Sequence, residues 1–285
     1  MSAPRHSPGF CGQIACLLDI LTPKVGNVSL NESFADASGN DFLISAAAIT
    51  PTLEAAPERP LGDTILEAIR RTSAVSSSNT NLGIVLLLAP LAKVFYTREP
   101  RVALGTVLES STIEDSGRVY EAIRLAHPGG LGSVTEEDVS APPTRPLVET
   151  MTLAANRDRI AFQYAHTFED VFDFGLESLR EAFRDNLSRN DAVALCHLRF
   201  MAHFPDSLIA RKCGNDVARE SSERARKLLD TGWPHGPSAR QGFQAFDRWL
   251  RSDGNRRNPG TSADLTVSSL FLAIRDGIIG LPELS

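Results

Sequence analysis

The chain has 285 residues, 42% hydrophobic and 22% charged, enough to bury one substantial core. Its formal net charge of -6 argues against a general nucleic-acid binder, which carries a basic face. The longest apolar runs, 84–92 and 265–274, are too short to span a bilayer. No long apolar stretch follows MSAPRHSPGF, so the chain is expected to be cytoplasmic.

The pattern predicts helices separated by polar turns. Residues 10–21 are largely apolar and stop at Thr22-Pro23, and the Ala-rich stretch 41–49 is expected to end at Thr50-Pro51. Leu61, Ile65, Leu66 and Ile69 share one face of a helix over 61–71, with Asp63 near its start. Residues 82–96 are apolar nearly all round, which predicts a buried central helix, kinked at Pro90, that serves a core or a homodimer seam. Helices over 102–108 and 116–126 follow, the second with Val119, Ile123 and Ala126 on one stripe. Residues 127–146, rich in Gly and Pro and carrying Glu136-Glu137-Asp138, read as a long loop, and loops of that length are often functional. Further helices are expected over 147–162, 168–186, 191–203, 216–230, 241–251 and 265–277. The alternating charges of 216–230 mark an outer helix. No stretch alternates with period two. The expected architecture is all-α: a single compact domain over 1–285 with about ten or more helices.

Cys11, Cys16, Cys196 and Cys213 form no C-x-x-C pair and read as reduced thiols. The six histidines make no metal-binding pattern. Chemistry is instead suggested by four polar turns, each beside an apolar helix. The first holds Thr22-Pro23-Lys24, then Asp36 and Asp41. Lys24 suits phosphate, and the two carboxylates suit magnesium. The second, Ser76-Ser77-Ser78-Asn79-Thr80-Asn81-Leu82-Gly83, offers more hydroxyls and amides than a simple helix cap requires. The third carries Asp206, Arg211 and Lys212. The fourth packs Arg256-Arg257-Asn258-Pro259-Gly260-Thr261-Ser262-Ala263-Asp264 into a turn. Thr261 or Ser262 would cap the next helix, and Asp264 would lie in its first turn. No P-loop, Rossmann fingerprint or nucleophile elbow is present, so a site assembled from several helix ends fits best.

Taken in order, the four turns resemble the triphosphoribosyl-dephospho-CoA synthase family, which makes the prosthetic-group precursor of citrate lyase and malonate decarboxylase. Its T-P-K-P-G-L-V-D is similar to Thr22-Pro23-Lys24-Val25-Gly26-Asn27-Val28-Ser29, and its G-V-N-T-H-K-G to Ser77-Ser78-Asn79-Thr80-Asn81-Leu82-Gly83. Its D-T-N-x-x-x-R-G-G resembles the run from Asp206 to Gly214, and its S-P-G-G-S-A-D-L-L the run from Asn258 to Thr266. The departures are Asn81 and Leu82 where the family has His and Lys, and a weak glycine-rich echo at 129–136 that lacks an arginine. From these departures a divergent branch with an altered acceptor or donor is the expectation.

The resemblance implies an all-helical cytoplasmic transferase that moves the triphosphoribosyl group of ATP to the 2′-hydroxyl of dephospho-CoA, releasing adenine, with magnesium as the expected metal. It implies phosphate binding by Lys24, Arg211, Lys212 and Arg257, and ribose or phosphate contacts from Asn79, Thr80 and Ser262. Asp41, Asp206 and Asp264 are the candidates for base and for magnesium ligand, with the roles undivided among them. The alternatives are a paralogue acting on another phosphorylated cofactor precursor, in pterin or one-carbon metabolism, and a non-catalytic nucleotide-binding protein.

Overall fold

The computed structural model describes residues 4–30, 32–34 and 38–280. Among the described residues fourteen α-helices carry the fold, and one isolated bridge pairs Ser29 with Glu32.

The first six helices are α1 (Pro8–Leu21), α2 (Gly39–Glu54), α3 (Leu61–Ser73), α4 (Leu82–Lys93), α5 (Pro100–Glu109) and α6 (Ile113–Ala126). Helix α2 runs through Pro51, where the sequence suggested a stop. The proline removes one backbone hydrogen bond, but buried Thr52 and Leu53 carry the last turn into the core and hold it helical. Capping boxes start two of these helices: Ser38 with Asp41 on α2, and Thr112 with Asp115 on α6. The loop expected over 127–146 is present, and α7 (Leu147–Ala154) follows it.

The helix expected over 147–162 is two. Asp158 accepts from the N–H groups of Ile160 and Ala161 and so nucleates α8 (Arg159–Ala165) separately from α7. The segment expected over 168–186 opens with a widened π-helical turn, Asp170–Gly175, before α9 (Leu176–Arg184). Here Asp170 accepts from Gln163 and pairs with Arg159 through both oxygens, at 2.6 and 2.8 Å. Helix α10 (Arg189–His203) leads to a short helix that sequence periodicity did not reveal, α11 (Ser207–Cys213). Then come α12 (Asn215–Asp230), α13 (Pro237–Arg251) and α14 (Gly260–Arg275). Helix α12 lies outside as expected, burying Ala218, Ser221, Ser222, Ala225 and Leu228 along one stripe.

Helices α4 and α14 form the centre. Nearly every side chain of α4 is buried by the chain itself, so this helix serves the core and not a seam between copies. In α14 burial runs from Leu265 to Arg275, although the stretch includes hydroxyl residues. Thr266, Ser268 and Ser269 each donate to the carbonyl four residues back at 2.8 Å, which satisfies their polarity inside the helix. A second apolar cluster gathers α10 to α13 around Met201, Ile209, Leu228 and Leu250. The starts of α4 and α14 line one cavity.

Candidate functional site

A cavity of about 760 Å³ opens where the starts of α4 and α14, the end of α11 and the 127–146 loop meet. Its volume is typical of a small-molecule site. Each wall has a local cause in the sequence.

Helix α4 begins without a cap from Asn81, whose side chain turns inward and donates to Thr72 Oγ1 at 2.9 Å. Asn79 accepts from the Leu82 N–H at 3.2 Å instead. Thr80 sits 2.7 Å from Ser45 Oγ, which gives its own proton to the Asp41 carbonyl, so Thr80 is the donor between the two hydroxyls. The following residues, Gly83 and Ile84, line the cavity at the positive end of the helix dipole, where an anion is favoured.

Helix α14 is capped from a distance. Neither Thr261 nor Ser262 caps it as the sequence suggested, because both lie inside its first turn. Asp206 does so: Oδ1 starts α11 by accepting from Leu208 and Ile209, while Oδ2 accepts from Ser262 N–H and Oγ, both at 2.8 Å. One buried carboxylate therefore locks two helix starts together. Burial pushes its pKa up, and these hydrogen bonds oppose the rise.

Asp264 follows just beyond the first turn, a position later than expected. It lines the cavity and accepts no hydrogen bond from a described residue. Burial, then the charges of Asp206 and Asp19, hold its carboxyl well above the usual range, with Arg211 opposing. Gly83 makes room for it: a Cβ at that position would lie 2.0 Å from Asp264 Oδ2.

The cations of the wall are Arg211, Lys212 and Arg157. Arg211 pairs with Asp158, so the cap of α8 also steers the guanidinium. The loop packs onto this corner through glycines. A Cβ on Gly129 would meet Lys212 at 3.1 Å, and Gly130, at φ +73, lies against the Arg211 backbone.

Of the residues singled out in the sequence, Asn79, Thr80, Arg211, Lys212 and Asp264 line this cavity, while Lys24, Asp41, Asp206, Arg257 and Ser262 do not. Asp36 lies outside the described residues. Asp41 accepts from Ser38 N–H and Oγ at the start of α2, and those bonds hold its carboxyl below the usual range. Arg257 donates to the Trp249 carbonyl and to Ser252, with its guanidinium over the Trp249 ring. Lys24 is fully buried, 3.1 Å from Asp19 Oδ2, and also donates to the Asp19 carbonyl at 2.6 Å. Burial pushes the lysine's pKa down and Asp19 opposes that. Asp19, unlike Lys24, lines the cavity.

Lys24 thus stands behind the wall and holds a carboxylate that forms it. Replacing Lys24 with Met leaves Asp19 buried and unpaired, which should cost about 3–5 kcal/mol of stability in urea unfolding. Asp19→Asn in the same chain should recover part of the loss. Full stability of K24M with a selective loss of ATP affinity would instead assign Lys24 to phosphate.

Asp19 and Arg157 escaped the sequence reading. Asp19 had a signal, as the one charged residue in the apolar segment 8–21. Arg157 had none, because 147–162 read as one helix and its turn was hidden. Among the described residues no three His, Cys, Asp or Glu side chains gather as a metal site.

A family model described as CitG: ATP:dephospho-CoA triphosphoribosyl transferase matches residues 5–281. Among solved structures, the chain is similar to a presumed triphosphoribosyl-dephospho-CoA synthase from Archaeoglobus fulgidus. The two share 27% identity at a TM-score of 0.64, over 82% of this chain and 99% of that one. No curated protein sequence gives a significant match.

Proposed function

The chain belongs to the ATP:dephospho-CoA triphosphoribosyl transferase family, and on that premise we propose that its cavity joins the triphosphoribosyl group of ATP to the 2′-hydroxyl of dephospho-CoA, with release of adenine. The observation that carries this reading is the meeting of Asn79, Thr80, Arg211, Lys212 and Asp264 on one cavity from three separate stretches of chain. Nothing in the fold or the comparisons favours the pterin-pathway or the non-catalytic alternative.

The acceptor oxygen bonds to C1′ of the ATP ribose as the C1′–N9 bond breaks. The hydroxyl proton must leave the acceptor, and the departing adenine must gain one. Asp264 suits the first task. Its raised pKa makes it a stronger base than an ordinary aspartate, and no described residue donates a hydrogen bond to its oxygens. Positive charge developing on the ribose is favoured by the same carboxylate and by the nearby Asp19. Arg211, Lys212 and the start of α4 oppose the charge of the triphosphate. Asn79 and Thr80 supply polar contacts for ribose or phosphate oxygens.

Magnesium fits this wall. It needs only one or two carboxylates beside phosphate and water, and Asp19 lines the cavity with an Oδ1 that has no hydrogen-bond partner among the described residues. Asp19 would hold the ion, leaving Asp264 for the proton. Bound there, magnesium would offset phosphate charge. Asp41 and Asp206 act in this account as helix caps, and Asp206 with Ser262 sets the position of α14. We place the reaction in the cytoplasm, where ATP is available.

Incubating the protein with ATP, dephospho-CoA and magnesium should release adenine only when both substrates are present. ATP binding without adenine release would sink the reaction and leave a binding protein.

A further inference from the structure

The cavity has two unlike sides. On one, Phe34 and Phe42 stand with the amides of Asn27, Asn79 and Asn258. The other, formed by α6, the loop and α7, is aliphatic at Val119, Ile123, Leu131, Val139, Met151 and Ala154, while its carboxylates, Glu137 and Asp138, are engaged by Tyr120 and Thr144 and by Val134 and Ser140. Of its two rings, Tyr120 and His127, the first has its hydroxyl bonded to the Glu137 carbonyl at 3.0 Å. The loop over this side is fixed. Arg124 donates to the Val139 carbonyl, and Asp138 accepts from the Val134 N–H at 2.8 Å. Asp264 and the cations Arg211, Lys212 and Arg157 share the cavity with both sides.

We infer that the aliphatic side receives the pantetheine arm of the acceptor, and not the purine of ATP. The inference rests on the transfer reaction proposed above. A purine is a flat π-system edged with hydrogen-bonding nitrogens, and it gains from aromatic faces and amides. Those lie on the opposite side, at Phe34, Phe42 and the three asparagines. Pantetheine is a flexible chain of methylenes and a gem-dimethyl group, which gains from aliphatic contact and needs no ring to stack on. The order of groups also agrees. Along the acceptor, the reacting hydroxyl is followed by a diphosphate and then by pantetheine. On this chain the corresponding groups are the Asp264 carboxylate, Arg157 and the aliphatic side chains of α7 and the loop, with Arg211 and Lys212 left to the triphosphate. Arg157, where α7 gives way to α8, is placed to meet the diphosphate beside Ala154.

The test is calorimetric titration of the intact protein with dephospho-CoA, AMP and ATP, separately. Two variants are used: Ala154→Phe, which fills the aliphatic side, and Leu131→Asp, which charges it from a half-exposed loop position outside the core. Each should weaken dephospho-CoA by about tenfold or more and leave ATP within about twofold. AMP, which lacks the arm, should bind the parent protein more weakly than dephospho-CoA and be indifferent to both variants. Undisturbed dephospho-CoA binding in both variants, or an equal loss for ATP, overturns the inference alone. A parent protein that binds no dephospho-CoA overturns the transfer reading together with it.

Discussion

Asp264→Asn is expected to lower kcat/KM for adenine release by about 10²–10⁴-fold, the usual contribution of a positioned proton acceptor, while the helical fold persists. The amide nearly matches the carboxylate in shape but cannot take a proton. Retained turnover would remove Asp264 from the reaction. The same substitution carries a pH signature whose sign follows from the raised pKa. In the unfolded chain the carboxyl titrates near 3.8, and in the fold it holds its proton to higher pH. That extra proton affinity stabilises the fold fully below about pH 4 and is lost as the pH rises through the folded value. The Asn variant has no such loss. It should therefore melt at the same temperature as the parent near pH 4 and above it near pH 8. In the parent, the acid limb of kcat/KM should fall above the ordinary carboxylate range, because this parameter reports the free enzyme. In the variant that limb should disappear. A residue that loses activity but gains stability on mutation is doing chemistry at the cost of the fold.

Gly83→Ala should lower activity by about 10²-fold or more with little loss of stability. In a helix, alanine is favoured over glycine by about 0.8–1.0 kcal/mol, so propensity alone predicts a gain. The new Cβ would lie 2.0 Å from Asp264 Oδ2 and 2.7 Å from Ile160 Cδ1, and the carboxylate must move. Gly105→Ala in α5 is the control. Its Cβ would meet only Thr167 Cγ2, at 3.7 Å, so activity should be unchanged. Equal activity in both variants would show that the placement of Asp264 does not matter.

How far the sequence disclosed this site depends on the kind of information involved. Helix periodicity is local, and it located α3, α4, α6, α10 and α12 well. It failed where a single side chain caps a new helix inside an apolar run, or where tertiary packing overrides a local stop. Asp158 starts a second helix inside an apparent single one, and Pro51 is carried through by packing that no local signal reports. The polar turns were legible as turns. Which carboxylate faces the cavity was not. Asp41, Asp206 and Asp264 each stand in a polar turn beside an apolar helix, and what separates them, burial and the backbone N–H groups that reach Asp41 and Asp206, is set by the fold. Lys24 read as a phosphate ligand from its exposed-looking Thr-Pro-Lys-Val-Gly turn. The fold buries it against Asp19, and that pairing required knowing that the end of α1 folds back beside the turn. The family's lysine and histidine positions now hold Leu82, which lines the cavity, and Asn81, which bonds inward to Thr72. Charge at this corner comes from Arg211, Lys212 and Arg157 instead.

The central claim is transfer of an intact triphosphoribosyl group at the cavity. It is tested most directly with ATP labelled in both the ribose and the γ-phosphate, incubated with dephospho-CoA and magnesium. The account predicts that both labels move together onto the dephospho-CoA product, with one adenine released for each acceptor consumed. Label separating as ADP or inorganic phosphate, or an acceptor of unchanged mass, would contradict it.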